Sequence, residues 1–109
     1  MPIPTHVRLE QPWQALPVDQ VAVLTRQLQS ELAPGHVLFG LKARAIAMRA
    51  NQDDVLFELS DHTSPLAVVH LTWNQEAQSD PSVPATQLFA NWDDWVRERL
   101  IPDSSEFRE

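Results

Sequence analysis

The residues of this sequence that could carry out chemistry are His70 and the acidic pair Asp53 and Asp54. His70 lies in the apolar run Leu66–Trp73, and an imidazole held on a strand can act as a base, a ligand or a pH-sensitive hydrogen-bonding group. Asp53 and Asp54 form an acidic pair directly before another apolar run. Paired carboxylates can bind a metal ion or divide acid and base roles. One interpretation is therefore a small hydrolase or metal-assisted enzyme with His70 as base and Asp53 or Asp54 as orienting group or ligand.

Each of these groups also has an ordinary structural explanation, which the sequence favours. Aspartates commonly build turns. His70 can be a partly buried histidine that is satisfied by Glu58, Thr72 or the backbone, and no nucleophile lies beside it in the sequence. The four histidines show neither His-x-x-x-His nor His-x-His spacing, so the sequence predicts no zinc site. The two glycines, Gly35 and Gly40, are too few for a glycine-rich phosphate loop. We therefore expect a non-catalytic protein without a cofactor or metal.

Composition narrows the choice of partners. The chain has 109 residues and a formal net charge of −7, from 15 acidic and 8 basic side chains. This balance disfavours nucleic acid and anionic membrane surfaces as partners, because both require clustered positive charge. It is compatible with an acidic inhibitor or immunity-type protein, whose charge would steer it to a basic target. The absence of cysteine fits a reducing cytoplasm.

Hydrophobic spacing predicts an α+β domain built around the apolar runs Val55–Leu59 and Leu66–Trp73. Both are rich in β-branched or aromatic residues and are separated by a short polar turn, which favours antiparallel pairing. Lys42–Ala50 has high helix propensity, yet its alternation and the polar residues after it favour a strand. Within a single domain, 1–109, we predict an extended arm at 1–16, a helix at 17–33, a three-stranded antiparallel meander at about 37–50, 55–60 and 66–73, a helix at 91–101 and a loose tail at 103–109.

The predicted sheet has two unequal faces. The register that gathers the most apolar side chains on one face puts Ala43, Ala45, Ala47 and Phe57 there, under both helices. The other face is half apolar and half polar, and a monomer rarely leaves such a patch bare. The arm with Trp13, a second subunit in a homodimer, or a partner could cover it. We predict that this second face is a surface for a protein partner or ligand, formed by Lys42, Arg44, Ile46, Met48, Glu58, His70 and Thr72.

Overall fold

A twisted antiparallel sheet with helices on both faces forms the centre of the molecule. The computed structural model describes residues 3–50, 53–60, 63–74, 80 and 82–107. Within these ranges the sheet has five strands in the order β1-β2-β3-β4-β5, so the predicted α+β class with an antiparallel sheet is confirmed. The elements are β1 (Trp13–Ala15), α1 (Val18–Glu31), β2 (Ala43–Arg49), β3 (Asp54–Leu59), β4 (Leu66–His70), β5 (Thr86–Phe89), α2 (Trp92–Trp95), a π-helical turn (Val96–Leu100) and α3 (Ile101–Phe107).

The three central strands are those that the sequence predicts. The ambiguous Lys42–Ala50 segment is a strand over Ala43–Arg49, as its alternation indicates. It begins later than predicted because residues 34–41 form successive tight turns, in which Phe39 N–H donates to the His36 carbonyl at 3.0 Å. Strand β4 ends at His70, three residues before the predicted end.

The predicted count of three strands is wrong, because two short edge strands complete the sheet. Strand β1 has three residues and β5 has four, and so few residues give no readable alternation. Each forms by pairing with a longer neighbour, β1 with β2 and β5 with β4. Prolines near both segments also obscure them in the sequence.

The helices cover opposite faces of the sheet, which corrects the prediction that both cover the same face. Helix α1 places Leu24 and Leu28 in one buried cluster with Phe57. The segment formed by α2, the π-helical turn and α3 places Trp95 and Leu100 in a second buried cluster. Both sheet faces are apolar enough to need a cover, and a helix on each face provides it. The arm contributes to the second cover through Val7 and Trp13, and the Trp13 and Trp95 rings meet edge to face at 5.2 Å.

A β-bulge in β2 changes the predicted faces. The pairing of β2 with β3 shifts between Ala45 and Ala47. Ala45 therefore packs on the α1 side, whereas Ile46 and Ala47 both pack in the opposite cluster. Met48 moves to the α1 side. Strict alternation cannot anticipate an inserted residue, so Ala47 and Met48 are assigned to the wrong faces by the sequence.

The C-terminal segment begins as predicted and extends beyond the predicted end. Asn91 caps it by accepting a 2.8 Å hydrogen bond from Asp94 N–H. Pro102 does not end it, because the π-helical turn directly before the proline widens the helix and relieves the clash of the proline ring with the preceding turn. Residues 103–107 of the expected loose tail are thus helical, with Asp103 buried. Residues 1, 2, 108 and 109 lie outside the described ranges.

Candidate functional site

His70 and Asp54 form a direct pair at one end of the sheet. Asp54 opens β3 and His70 closes β4, and the antiparallel register makes them cross-strand partners. The Nδ1 atom of His70 lies 2.7 Å from Asp54 Oδ1. His70 thus contacts Asp54, one of the two aspartates of the enzyme interpretation, rather than Glu58 or Thr72, the side chains that the sequence favours as its partners. The other aspartate, Asp53, has an exposed side chain, and its backbone carbonyl accepts from Leu71 N–H at 3.0 Å.

Asp54 also belongs to a buried chain of charges, which we call the ion cluster and define as Asp54, Arg99, Asp103 and Arg49. Arg99 Nη2 donates to Asp54 Oδ2 at 2.7 Å, and Arg99 Nε donates to Asp103 Oδ2 at 3.2 Å. Arg49 Nη1 lies 3.3 Å from Asp103 Oδ1. The indole Nε1 of Trp13 also donates to Asp103 Oδ2, at 2.8 Å. The ion cluster thereby joins β1, β2 and β3 to the C-terminal segment.

The surroundings of Asp54 decide its protonation state. Burial alone would raise the pKa of this carboxyl, but the hydrogen bonds and positive charges of Arg99 and His70 outweigh burial. The pKa of Asp54 is therefore held below the ordinary value of 3.8. Asp54 is therefore a carboxylate at neutral pH, in contact with both Arg99 and His70.

This arrangement contains part of what general-base catalysis needs. A carboxylate on Nδ1 orients an imidazole so that Nε2 can accept a proton. A shallow cavity of about 190 Å³ adjoins the pair and is lined by residues that include Thr86 and Gln87. The Thr86 hydroxyl donates to the Pro84 carbonyl at 3.0 Å. In the described part of the chain no hydroxyl group bonds to His70, and no three His, Asp or Glu side chains gather to hold a metal ion.

A larger cavity, of about 610 Å³, lies between α1 and the first half of β2. We call it the α1–β2 groove. Its walls are mostly apolar, and among the described residues its charged lining consists of two arginines, Arg26 and Arg44. Its apolar described lining includes Val21 and Ala22 of α1, Ala43 and Ile46 of β2, and Ile3 of the arm.

The two arginines of the groove have no anionic partner among the described residues. Both side chains are exposed, and neither forms an ion pair within 4.0 Å there. Arg44 is the cross-strand partner of Glu58, so the predicted proximity of these residues is correct, yet their charged groups do not form such a pair. The groove thus carries two positive charges without an anionic partner in the described chain, although the net charge of the protein is −7.

The groove runs along an open strand edge. Over the described residues, β1 pairs with Ala47, Met48 and Arg49 alone, which leaves the preceding half of β2 without a strand neighbour on that side. The Ala45 N–H points outward and donates to Thr25 Oγ1 of α1 at 3.0 Å. Main-chain direction alternates along a strand, so Ala43 also directs its N–H and C=O outward. Outside the pairing of the strands themselves, no hydrogen bond within the described chain reaches these groups of Ala43.

The structure divides the surface that the sequence predicts. Arg44 and Ile46 line the groove, with Lys42 exposed just before β2 and Glu58 half-buried beside Arg44. The remaining three residues lie elsewhere: Met48 packs on the α1 side, His70 pairs with Asp54, and both the N–H and the hydroxyl of Thr72 donate to Glu31 Oε1, at 2.9 and 2.8 Å.

Several residues that shape these sites have no distinguishing signal in the sequence. Glu31 is buried at the end of α1, where it also accepts from Trp73 N–H at 3.0 Å and holds this tryptophan at a φ of 64°. Arg99 and Asp103 read as ordinary charges of a helix end. Arg26 reads as a solvent-facing helix residue. Their roles depend on contacts with distant parts of the chain.

Comparison with known proteins adds no functional information: no protein-family model matches the chain, and neither the curated proteins nor the solved structures compared with it gave a match. In the part of the chain that the structure describes, no helix combines the length and the apolar character needed to cross a membrane.

Proposed function

We propose that this chain is a non-catalytic binding module of the cytoplasm, which holds part of a protein partner in the α1–β2 groove. The observation that carries the proposal is an apolar groove of about 610 Å³ with two arginines that lack anionic partners among the described residues. Ligand sites in proteins are concave and mostly apolar, with a few polar groups that fix orientation. The groove has this composition, and it includes Arg44 and Ile46 of the predicted surface.

The ion cluster and the α1–β2 groove differ in how their charges are paired, which supports a structural role for the first and a binding role for the second. Each of its charges is already paired within the chain, so it offers little to a ligand. Arg26 and Arg44 have no such pairing among the described residues, and a carboxylate from a partner would complete them. The absence of cysteine is the reason for placing the module in the cytoplasm.

A groove-blocking variant tests the proposal. A phage library of random twelve-residue peptides is panned against the wild-type chain, and enriched peptides are then measured against Ala22→Trp and Val23→Trp. Ala22 lines the groove, whereas the neighbouring Val23 is exposed outside it. We expect binding to fall at least about tenfold in Ala22→Trp, which corresponds to about 1.4 kcal/mol, and to persist in Val23→Trp.

Two results would overturn the proposal: no peptide is enriched, or the enriched peptides bind both tryptophan variants equally. Thermal melting checks that Ala22→Trp is folded. If it is not, Arg26→Glu with Arg44→Glu replaces it, because these exposed positions tolerate a change of charge without a change of packing.

The contact between Asp54 and His70 favours a second candidate function, that of a small hydrolase with His70 as general base. The rate of p-nitrophenyl acetate hydrolysis by wild type and by His70→Gln tests it. Equal rates would eliminate this candidate, whereas a loss of at least about a hundredfold, the usual contribution of a general base, would support it. The acidic-inhibitor interpretation stays a prediction from net charge.

A further inference from the structure

We propose that the α1–β2 groove binds by β-strand addition: an extended acidic and apolar segment of a partner protein pairs with Ala43–Ala45 of β2. This inference rests on the proposed function and specifies its mode and ligand class. Strand addition combines main-chain hydrogen bonds, which supply affinity, with alternating side-chain contacts, which supply specificity. The groove offers both kinds of contact.

The open edge results from the local sequence. Leu16 N–H still reaches the Ile46 carbonyl at 3.4 Å, but the next residue, Pro17, has no N–H and starts the turn into α1. Strand β1 therefore ends, and the first half of β2 keeps a free side. Proteins usually blunt such edges with charge, a bulge or a cover. Here Thr25 satisfies the N–H of Ala45, and Ala43 remains available.

An added strand would continue the line of β1 along β2. Neighbouring strands lie about 4.8 Å apart, and each residue advances the strand by about 3.3 Å, so a segment of three or four residues spans the free half of β2. Its main-chain hydrogen bonds would be to Ala43, since Thr25 already accepts from the Ala45 N–H. Alternate side chains of that segment would point towards Val21 and Ala22 on α1 or towards Ile3 and Ile46 on the other side. Both walls are apolar, which requires apolar side chains on the incoming segment.

The charge of the groove indicates which class of segment it binds. Among the residues that the structure describes, the lining of the groove contains Arg26 and Arg44 and no acidic residue. Acidic side chains in or beside the incoming segment would therefore pair with the two guanidinium groups. A second copy of this chain is a poor occupant. Two-fold pairing of β2 edges would bring Arg44 close to its own symmetry mate, within a complex of two chains of charge −7.

Three synthetic peptides test the mode of binding. The first is a fluorescein-labelled eight-residue peptide of alternating valine and glutamate. The second replaces glutamate with lysine, and the third keeps glutamate but carries N-methyl groups on alternate backbone nitrogens. Fluorescence anisotropy measures their affinity for the wild-type chain. We expect the glutamate peptide to bind, and both of the others to bind at least about tenfold more weakly, since they lose charge pairing or main-chain hydrogen bonds.

Two protein variants provide matched measurements. Ala43→Pro removes the outward N–H of β2 and leaves the hydrogen bonds to β3 in place, which is the position at which an edge strand accepts proline. We expect this substitution to weaken binding of the glutamate peptide at least about fivefold. Arg44→Glu should reverse the preference, so that the lysine peptide becomes the tighter ligand.

The outcomes separate this inference from the proposed function. If peptides bind and Ala22→Trp abolishes binding, while the N-methylated peptide and Ala43→Pro make no difference, strand addition is wrong and the groove remains a binding site. Equal binding of the glutamate and lysine peptides overturns the acidic ligand class. If sedimentation shows that the wild-type chain is a dimer and that Ala43→Pro dissociates it, the occupant of the groove is a second copy of this chain and not a partner protein. If decanoate displaces the peptide, and its binding is insensitive to Ala43→Pro, the occupant is a free fatty acid and not a protein segment.

Discussion

The ion cluster and the α1–β2 groove use the same residue types in opposite ways. In the ion cluster, Arg49 and Arg99 have side chains that are 6% and 16% exposed, and each contacts a carboxylate. In the groove, Arg26 and Arg44 are exposed on an apolar wall whose described lining residues include no carboxylate. Arginine alone therefore indicates neither structure nor binding in this chain. The partner within the chain makes the difference.

Charge balance explains why the ion cluster suits a structural role. Its two arginines and two aspartates sum to zero, and Asp54 and Asp103 each contact more than one donor. A buried charge is tolerated when it is paired and hydrogen-bonded, and it becomes costly when a partner is removed. The groove carries two positive charges without compensation in its lining. Solvent stabilises them in the free protein, and a carboxylate ligand can replace that solvent.

The largest expected effect in this comparison is the removal of the Asp103 carboxylate. Asp103→Leu leaves Arg49, Arg99 and the Trp13 indole N–H without their shared acceptor. We expect the free energy of unfolding to fall by about 3–5 kcal/mol, the usual consequence of breaking a buried ion network. Urea denaturation followed by tryptophan fluorescence measures the change.

Asp93→Leu is the matched control for Asp103→Leu, because Asp93 lies in the same C-terminal segment with a side chain that is 80% exposed. We expect its effect to stay within about 0.5 kcal/mol. Similar losses in the two variants would mean that the ion cluster contributes no more than surface charge, and the contrast with the groove would disappear.

The next largest effect is expected in the pH dependence of stability, and it comes from the carboxyl group of Asp54. Hydrogen bonds from Arg99 and His70 overcome the effect of burial and hold the folded-state pKa of Asp54 below 3.8, the value expected for the unfolded chain. The unfolded state therefore binds more protons as the pH falls past this value, so the stabilisation is present above it and is lost as the pH falls through the folded-state pKa.

Urea midpoints measured from pH 6 to pH 2 should consequently fall less steeply for Asp54→Asn than for wild type. Asp53→Asn, at the adjacent exposed position, should keep the wild-type slope. An unchanged slope in Asp54→Asn would show that the carboxylate of Asp54 is not stabilised in the folded chain.

A smaller effect is expected from the indole of Trp13. Its Nε1 donates to Asp103 at 2.8 Å, and its ring packs against Trp95. Trp13→Phe keeps most of the packing and removes the donor to a charged group, so we expect a loss of about 1.5–3 kcal/mol. Trp73→Phe is the control, since the Trp73 ring is 45% exposed; it should change stability by less than about 0.5 kcal/mol. Equal effects in both variants would place the contribution of Trp13 in general aromatic packing.

Local patterns in the sequence predict the central strands, helix α1 and the Asn91 cap, because each depends on residues a few positions apart. They miss β1 and β5, whose pairing is set by longer neighbours, and they miss the bulge that moves Ala47 and Met48 to other faces. Contacts between distant residues are equally invisible: Asp54 and Arg99 are 45 positions apart, and Trp13 and Asp103 are 90 positions apart. The His70–Asp54 contact follows from the register of β3 and β4, which places the first residue of β3 opposite the last residue of β4, whereas the sequence favours Glu58 or Thr72 as the partner of His70.

The smallest expected effect on stability comes from the groove, and it tests the comparison most directly. The double variant Arg26→Gln, Arg44→Gln removes two positive charges that have no ion pair within the described chain. We expect the free energy of unfolding to change by less than about 0.5 kcal/mol, whereas Arg99→Gln, which strips two carboxylates of the ion cluster of a partner, should lose about 3 kcal/mol or more. The same urea titration measures both variants.

The effects on peptide binding should have the reverse order. The groove variant should no longer bind the glutamate peptide, whereas Arg99→Gln should still bind it under conditions where that variant is folded. A large loss of stability in the groove variant would mean that Arg26 and Arg44 are structural residues, and the physical basis for assigning them to a ligand would be removed.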